Sequence, residues 1–317
     1  MQSKKHMKSM SPLQIALTCL LATSAAFAAG NFDVRDADAF ARCVDTNAVL
    51  QKVATGLKFT EGPVWVPRDG GYLVFSDIPA NELKRWKAKD GVTTYRNPSQ
   101  NANGNTVDGQ GRLITCEHSG RRVSRLESDG TVRTLVETFD GKRFNSPNDV
   151  VVARDGAVYF TDPDYGLGGK PSELGGCWAF RFDPKTQNLS VLVRDFDKPN
   201  GIALSPDGKR LFVADSGKPR HLRVFDVAAD GGVKNGKVFA QIDKGGPDGI
   251  RCDDEGRVWS SAGDGIQIFG PEGNLVGKIL VPESPANLCF GGADGKTLFI
   301  TARTSLYSIP VRVTGAN

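Results

Sequence analysis

Six polar side chains recur along the chain at similar intervals and could form one site. They are Glu61, Asn103, Asn148, Asn200, Asp248 and Asn287, separated by 42, 45, 52, 48 and 39 residues. A repeat that brings equivalent positions around one axis would make these carboxylate and amide oxygens converge. Oxygen-only donors favour Ca²⁺, with Mg²⁺, Mn²⁺ or Zn²⁺ as substitutes. The spacing therefore predicts one divalent cation at the centre of the fold.

The elements that would position these residues are short strands in a repeat of roughly forty to fifty residues, which is typical of β-propeller blades. Eleven Asp-Gly dipeptides, a strong hairpin signal, separate runs of branched and aromatic residues. The sequence thus predicts an all-β, six-bladed β-propeller. In the third blade we expect strands over 150–153, 158–161, 178–182 and 189–193.

The last repeat ends one strand early, after the run 306–311. The segment 49–54 precedes Glu61 just as the outer strands of other repeats precede their own polar residues. We therefore predict that this N-terminal strand closes the last blade, which would leave no open sheet edge there. The expected organisation is a signal peptide over 1–28, an extension over 29–48 and a propeller over 49–317.

The first 28 residues are typical of a cleavable secretory signal. Lys4, Lys5 and Lys8 precede a short apolar run, and 26–28 reads Ala-Phe-Ala. The run is too short to cross a bilayer, so we expect a periplasmic or secreted protein without a membrane span. A lipoprotein anchored at Cys19 stays as the alternative.

Charge and cysteine content exclude several other classes. Without the leader, 37 basic residues face 36 acidic ones, and no basic run indicates a nucleic-acid partner. Five cysteines remain, none in a C-x-x-C pattern, and the sequence leaves open whether any pair forms a disulfide. The oligomeric state is equally open.

Acids end the second strand of the first four repeats, at Asp77, Glu117, Asp162 and Asp215, whereas the last two repeats have Ala262 and Ala302. Antiparallel pairing places these ends on the same face as the axial residues. Asparagine at a strand start is also common because it bonds nearby backbone, and for Asn103 and Asn287 that interpretation is sufficient. That interpretation does not explain Glu61, which has no turn role within the stretch Thr-Glu-Gly-Pro.

Candidate substrate contacts surround this face. They are Asn103, Glu117, His118, Asn148, Asp162 and Tyr165. His118 ends a strand pattern and could equally be a packed histidine. The glycine-rich segment 163–176 is expected to overhang the axis as a lid, with Tyr165 contacting a sugar, and an ordinary long connection is the alternative.

The chain resembles the SMP-30/gluconolactonase family of six-bladed propellers. The stretches that carry the resemblance are FTEGPVW, TCEHSGRRV, SPNDVVV, YFTDPDYG, PNGIALSPDGKRLFVADS, GPDGIRCDDEGRVW and ANLCFGGADGKTLFITA. They cover nearly the whole chain after the leader, in the family's order.

The resemblance implies hydrolysis of sugar lactones with one divalent cation at the axis. It implies Glu61, Asn200 and Asp248 as metal ligands, Asn148 as a contact to substrate or to a metal-bound water, and Asp248 as the group that accepts and returns a proton. Because Glu61, Asn148, Asn200 and Asp248 converge and supply only oxygen, we predict that the metal binds at these four residues. Some relatives carry an arginine two residues before Asn148, where this chain has Ser146. Arg143 could reach the same cleft and is the expected substitute.

A different class of function stays open at this point. A propeller of this kind could bind a sugar or a partner protein without catalysis and hold Ca²⁺ only for structure. The presence of both Glu61 and Asp248 favours the metal-dependent lactonase.

Overall fold

Short antiparallel strands make up most of the protein. The computed structural model describes residues 31–316. Its strands are rich in branched and aromatic residues, which pack well on a pleated surface. Asp-Gly turns separate many of them, and Gly156 and Gly208 have φ angles of +93° and +70° that favour glycine.

The strands follow one another around a ring of six sheets, of which five have four strands and one has five. The chain begins with β1 (Phe32–Val34), helix α1 (Ala37–Cys43) and β2 (Gln51–Ala54). Blade 1 contains β3 (Thr60–Val66), β4 (Tyr72–Asp77), β5 (Glu82–Lys87) and β6 (Gly91–Arg96), and blade 2 contains β7 (Ala102–Val107), β8 (Leu113–Glu117), β9 (Arg122–Leu126) and β10 (Val132–Val136). A small hairpin of β11 (Thr138–Phe139) and β12 (Lys142–Arg143) follows blade 2.

The remaining blades repeat the same order from the axis outward. Blade 3 contains β13 (Val150–Val152), β14 (Val158–Asp162), β15 (Cys177–Asp183) and β16 (Asn188–Phe196), and blade 4 contains β17 (Pro199–Leu204), β18 (Arg210–Asp215), β19 (His221–Val227) and β20 (Val233–Gln241). Blade 5 contains β21 (Ile250–Cys252), β22 (Val258–Ala262), β23 (Gly265–Phe269) and β24 (Leu275–Leu280), and blade 6 contains β25 (Pro285–Gly291), β26 (Thr297–Ala302) and β27 (Ser305–Pro310). Two 3₁₀ turns lie at Ile78–Ala80 and Tyr165–Leu167. The predicted six-bladed propeller and the four strands of blade 3 are confirmed.

Strand β2 closes the ring as its fourth strand in blade 6. It pairs antiparallel with β27, with Gln51 opposite Ser308 and Lys52 opposite Tyr307. Side chains reinforce the junction, because Glu283 accepts hydrogen bonds from Lys52 Nζ at 3.0 Å and Tyr307 Oη at 2.8 Å. The predicted N-terminal closing strand is confirmed.

The segment before β2 is integrated into the propeller. Strand β1 joins the outer edge of blade 5, where Phe32 pairs with Ile279. Asp36 caps α1 by accepting a hydrogen bond from the Ala39 amide, and the helix buries Phe40 completely. The sequence analysis predicted that 29–48 is an extension separate from the propeller, whereas β1 and α1 pack against blade 5. The predicted signal peptide over 1–28 lies outside the described residues.

Apolar side chains between adjacent blades stabilise the ring. Between blades 2 and 3, Phe144, Phe160 and Phe180 form a cluster with ring centroids 5.1–5.3 Å apart, and all three are fully buried. Burial of one such side chain contributes about 1.5–3 kcal/mol. No helix among residues 31–316 is long and apolar enough to cross a membrane.

Candidate active site

The innermost strands carry the six polar residues to one end of the axis. Glu61, Asn103, Asn200 and Asn287 lie in β3, β7, β17 and β25, while Asn148 and Asp248 lie two residues before the first residues of β13 and β21. In four blades a glycine follows the polar residue. A Cβ on Gly62 would lie 2.0 Å from the carbonyl oxygen of Asn103, and one on Gly201 would lie 2.3 Å from that of Asp248. Glycine is required because neighbouring blades approach each other so closely here.

Five of the six polar residues line one open pocket of about 290 Å³. Its walls are formed by Phe59, Glu61, Ile78, Asn103, His118, Asn148, Tyr165, Asn200, Ser216 and Asp248. Asn287 is the exception, and its amide nitrogen donates to Glu61 Oε2 at 2.9 Å. The pocket thus combines an oxygen-rich floor with an apolar wall of Phe59 and Ile78.

Two carboxylates interact at the floor of this pocket. Desolvation, assisted by the nearby Asp149 carboxylate, raises the pKa of Glu61 to about 7 even though Asn287 donates to it. Desolvation and the Glu61 carboxylate raise the pKa of Asp248 well above its usual range. Each carboxylate therefore disfavours ionisation of the other, and a bound cation would relieve this repulsion.

The surrounding amides fit a cation that prefers hard oxygen ligands. Within residues 31–316 no hydrogen-bond donor reaches Oδ1 of Asn103 or Asn200, although both atoms are buried. An unpaired buried carbonyl oxygen is costly, and a metal ion would satisfy it. The four residues expected as ligands, Glu61, Asn148, Asn200 and Asp248, all line this one pocket.

His118 fixes the amide of Asn103. Its Nε2 lies 3.1 Å from Asn103 Nδ2. Burial lowers the pKa of His118 to about 4, so the ring is neutral near pH 7 and Nε2 can accept the amide hydrogen. This contact leaves Asn103 Oδ1 available to a ligand in the pocket. The structure therefore brings together two residues for which the sequence left a structural interpretation open.

Three expected substrate contacts lie outside the pocket. Glu117 is fully buried and bonds Arg96 at 2.9 Å and Arg122 at 2.5 Å. Asp162 accepts hydrogen bonds from backbone amides, which do not offset the burial that raises its pKa to about 7. Arg143 is exposed and donates to the Gly120 carbonyl oxygen at 2.6 Å. We therefore assign these three a structural role in place of the substrate contact expected from the sequence.

The acids that end the second strands follow a common pattern in three blades. Asp77 accepts from the amides of Lys58 and Phe59, Asp162 from those of Asn145 and Ser146, and Asp215 from those of Asp197 and Lys198. In each blade these amides belong to the residues three and two positions before the axial polar residue. The acids hold the chain that leads into the axis, and thereby position the site indirectly.

Tyr165 stands at the rim of the pocket in the glycine-rich segment. Its side chain remains 45% exposed, and desolvation followed by the Asp248 charge raises its pKa to about 12. Ser146 ties this segment down, because its hydroxyl donates to the Pro163 carbonyl at 2.6 Å and accepts from the Gly166 amide at 2.9 Å. The start of the expected lid is thus anchored beside the pocket.

Several site residues were missed by the sequence reasoning. Phe59 and Ser216 lie in loops and Ile78 begins a 3₁₀ turn, and only the fold brings these segments to the pocket. Asp149 and Arg251 form a buried ion pair with Nη1 to Oδ2 at 3.0 Å. A signal for Asp149 did exist, because it occupies the position that is glycine in four other blades.

Comparison with known proteins gives a consistent result. A family model described as "SMP-30/Gluconolactonase/LRE-like region" matches residues 59–304. A gluconolactonase from Zymomonas mobilis is 32% identical, over 86% of this chain and 84% of that protein. A 6-deoxy-6-sulfogluconolactonase from Pseudomonas putida is 30% identical, over 76% of this chain and 82% of that protein.

A solved structure is similar over the same range. The gluconolactonase from Xanthomonas campestris superposes with a TM-score of 0.84 at 34% identity, covering 92% of this chain and 100% of that one. The similarity therefore includes the pocket and all six blades.

Proposed function

Because the chain belongs to the SMP-30/gluconolactonase/LRE-like family, we propose that it is a metal-dependent hydrolase that opens sugar lactones. The observation that carries this proposal is the pairing of Glu61 and Asp248 with the unsatisfied amide oxygens of Asn103 and Asn200 at the floor of an open pocket.

Charge at the pocket floor favours a single divalent cation. Glu61, Asp149 and Asp248 carry three negative charges when ionised, and Arg251 carries one positive charge. Two negative charges remain, which one divalent cation balances. Glu61, Asn148, Asn200 and Asp248 are the proposed ligands, with Ca²⁺ favoured by the oxygen-only donor set. When bound, the cation would polarise the lactone carbonyl as a Lewis acid.

Asp248 is the proposed acid and base of the reaction. Its carboxylate accepts a proton from the attacking water as the water oxygen bonds to the carbonyl carbon. The ring C–O bond then breaks, and Asp248 returns the proton to the ring oxygen, which becomes the hydroxyl of the open acid. No covalent intermediate with the protein is needed, because a lactone is already an activated ester.

The remaining pocket residues would bind and orient the sugar ring. Asn103 and Ser216 offer hydrogen-bonding groups to its hydroxyls, and Tyr165 offers a ring with a polar tip. Phe59 and Ile78 would exclude water from the apolar face of the lactone. Holding the carbonyl near the floor converts the attack into an effectively intramolecular step.

We also propose that the protein acts outside the cytoplasm, on the basis of its leader sequence. Lys4, Lys5 and Lys8, with the following apolar run and cleavage pattern, support export to the periplasm or secretion. Edman sequencing of the protein purified from the native host should begin near Ala29. A chain that retains Met1 would contradict export.

The experiment that tests the function is hydrolysis of a panel of sugar lactones in a pH-stat, starting with glucono-1,5-lactone. Chelation should abolish the rate, and added Ca²⁺ should restore it. An unaltered rate in excess chelator would contradict metal dependence. A melting temperature that depends on Ca²⁺ without hydrolysis of any lactone would instead support the alternative, a binding propeller with a structural ion.

A further inference from the structure

Blade 3 differs from four other blades in the residue that follows its axial polar residue. The residue after the axial polar residue is Gly62, Gly104, Gly201 or Gly249 in blades 1, 2, 4 and 5. A Cβ at any of these glycines would lie 2.0–2.5 Å from an atom of a neighbouring blade. In blade 3 the same position is Asp149, whose side chain is fully buried. A charged residue at such a crowded position requires a partner.

That partner comes from across the axis. Arg251 lies in β21 of blade 5, and its Nη1 and Nη2 approach Asp149 Oδ2 and Oδ1 at 3.0 and 3.5 Å. The side chains retain 18% and 1% exposure. Arg251 Nη1 also donates to the Ile250 carbonyl oxygen at 2.6 Å, and Asp149 Oδ1 accepts from the Val150 amide at 2.9 Å. The pair thus connects two blades that are not neighbours in the ring.

The ion pair lies between two cavities. Arg251 lines a smaller axial cavity of about 110 Å³ on the far side, whereas the pocket that contains Glu61 and Asp248 does not reach it. The guanidinium is therefore a permanent cation directly beneath the carboxylate floor. Unlike a metal ion, the guanidinium cannot leave the protein, because it is part of the chain. Its positive charge is also retained at all ordinary pH values.

We propose that the Asp149–Arg251 pair is a built-in counter-ion bridge that ties blade 3 to blade 5 across the axis and limits the site above it to one divalent cation. This inference rests on the proposed function only in assuming that a cation binds at Glu61 and Asp248. Arg251 is a positioning residue in this role, since it acts through Asp149 and the adjacent Asn148. Without its charge, Asp149 would add a third uncompensated carboxylate and the ring would depend on metal for its stability.

The test compares melting temperatures of the full-length protein with excess EDTA and with excess Ca²⁺. Arg251→Met should make stability more dependent on the ion, so that Ca²⁺ raises its melting temperature by about 5 °C more than it raises that of the unaltered protein. The double variant Asp149→Asn with Arg251→Met removes both charges and should return to the unaltered Ca²⁺ dependence.

A matched control lies in the same blade. Arg257 and Asp253 form an even more buried ion pair at 2.9 Å on the opposite face, with 5% and 0% exposure. Arg257→Met should lower the melting temperature equally with EDTA and with Ca²⁺. If Arg251→Met behaves in the same way, the Asp149–Arg251 pair is an ordinary structural ion pair and the proposal is wrong.

The number of bound ions gives a second, independent measurement. Elemental analysis of protein equilibrated with Ca²⁺ should find one ion per chain in the unaltered protein and in the double variant, and more than one in Arg251→Met. If Arg251→Met folds only when Ca²⁺ is present while the double variant folds without it, the uncompensated Asp149 charge is the cause and the proposal holds. Failure of both to fold would contradict the counter-ion role. Neither measurement requires lactone hydrolysis, so a failed function proposal would be recognised separately.

Discussion

The two ends of the central axis are formed by the same innermost strands but differ in chemistry. At one end, Glu61, Asn103 and Asn200 surround an open pocket. A few residues further along the same strands, Val64, Val107 and Leu204 line a narrower cavity. The difference indicates that each innermost strand has two roles. The residues at its start face the pocket and could bind a ligand, and the residues further along stabilise the ring.

The comparison also has an energetic meaning. At the pocket end, the pKa of Glu61 is raised to about 7 because burial and the neighbouring Asp149 carboxylate disfavour its charge. Such a site reduces the stability of the metal-free protein. At the far end, apolar burial stabilises the fold without chemical use. Substitutions at the pocket end should therefore reduce activity without reducing stability. Substitutions at the far end should reduce stability and leave activity nearly unchanged.

The largest effect is expected at Asp248. Asp248→Asn removes the proposed proton acceptor and one of two repelling carboxylates. We expect kcat to fall by about 10³-fold or more, while the melting temperature of the metal-free protein at pH 7 stays the same or rises. Asp294→Asn, at an exposed turn, is the control and should change neither quantity. Near-normal hydrolysis by a folded Asp248→Asn variant would remove this residue from the mechanism.

The opposite signature is expected at Leu204. This side chain is 3% exposed and lines the far cavity. Leu204→Ala should lower the unfolding free energy by about 2–4 kcal/mol through lost burial and a new cavity. Denaturant titration measures this loss, and kcat/KM at 25 °C should change less than about twofold. Leu204→Met, which conserves volume, is the control. A large loss of activity with unchanged stability would show that the two ends are not functionally separate.

Glu283 tests whether every carboxylate shielded from solvent near the pocket face reduces stability, since it is only partly buried. Burial alone would raise its pKa, but hydrogen bonds from Ser305, Tyr307, Lys52 and Thr304 lower the pKa to about 2. A lowered pKa stabilises the folded state above the pKa of the unfolded chain, near 4.3, and this contribution disappears as pH falls towards 2.

Glu283→Gln should therefore reduce the unfolding free energy at pH 7 by about 2 kcal/mol, the value of hydrogen bonds to a charged group. Urea titrations at pH 7, 4 and 3 should show the difference from the unaltered protein shrinking as the pH falls. A difference that is independent of pH would mean that the hydrogen bonds do not depend on the charge of Glu283.

His118 should affect activity through Asn103 alone. His118→Ala removes the acceptor of the Asn103 amide, and we expect kcat/KM to fall by about tenfold with little change in stability. His118→Gln offers a carbonyl acceptor and should recover part of the rate. Equal loss in both variants would show that the imidazole itself contacts the substrate.

The smallest effect is expected at Tyr165, at the rim. Tyr165→Ala should change the ranking of sugar lactones by KM, with shifts of about threefold to tenfold, while the affinity for Ca²⁺ is unchanged. Tyr165→Phe separates the ring from the hydroxyl. An equal slowing of every lactone would indicate that the segment supports the fold and does not select the substrate.

Sequence reasoning was most successful where the signal is periodic. The repeat of polar residues, the Asp-Gly turns and the missing last strand predicted six blades and closure by β2. It was weaker for individual acids. Asp162 and Asp248 are both predicted from the sequence to lie on the pocket face. The structure shows that Asp162 bonds the backbone of its own blade and that, of the two, only Asp248 lines the pocket. Both are carboxylates at strand ends, so residue type alone could not separate them.

The sequence by itself therefore determined the fold and the candidate ligands. Strand alternation and turn formation depend on residues that are close together along the chain, so they can be recognised without the structure. The tertiary structure alone decided which polar groups share a cavity. Asp149 and Arg251 are 102 residues apart and meet only when the ring has closed. Phe59 and Ser216 enter the pocket from different blades for the same reason. Contacts between distant blades depend on the geometry of closure, and no local pattern encodes them.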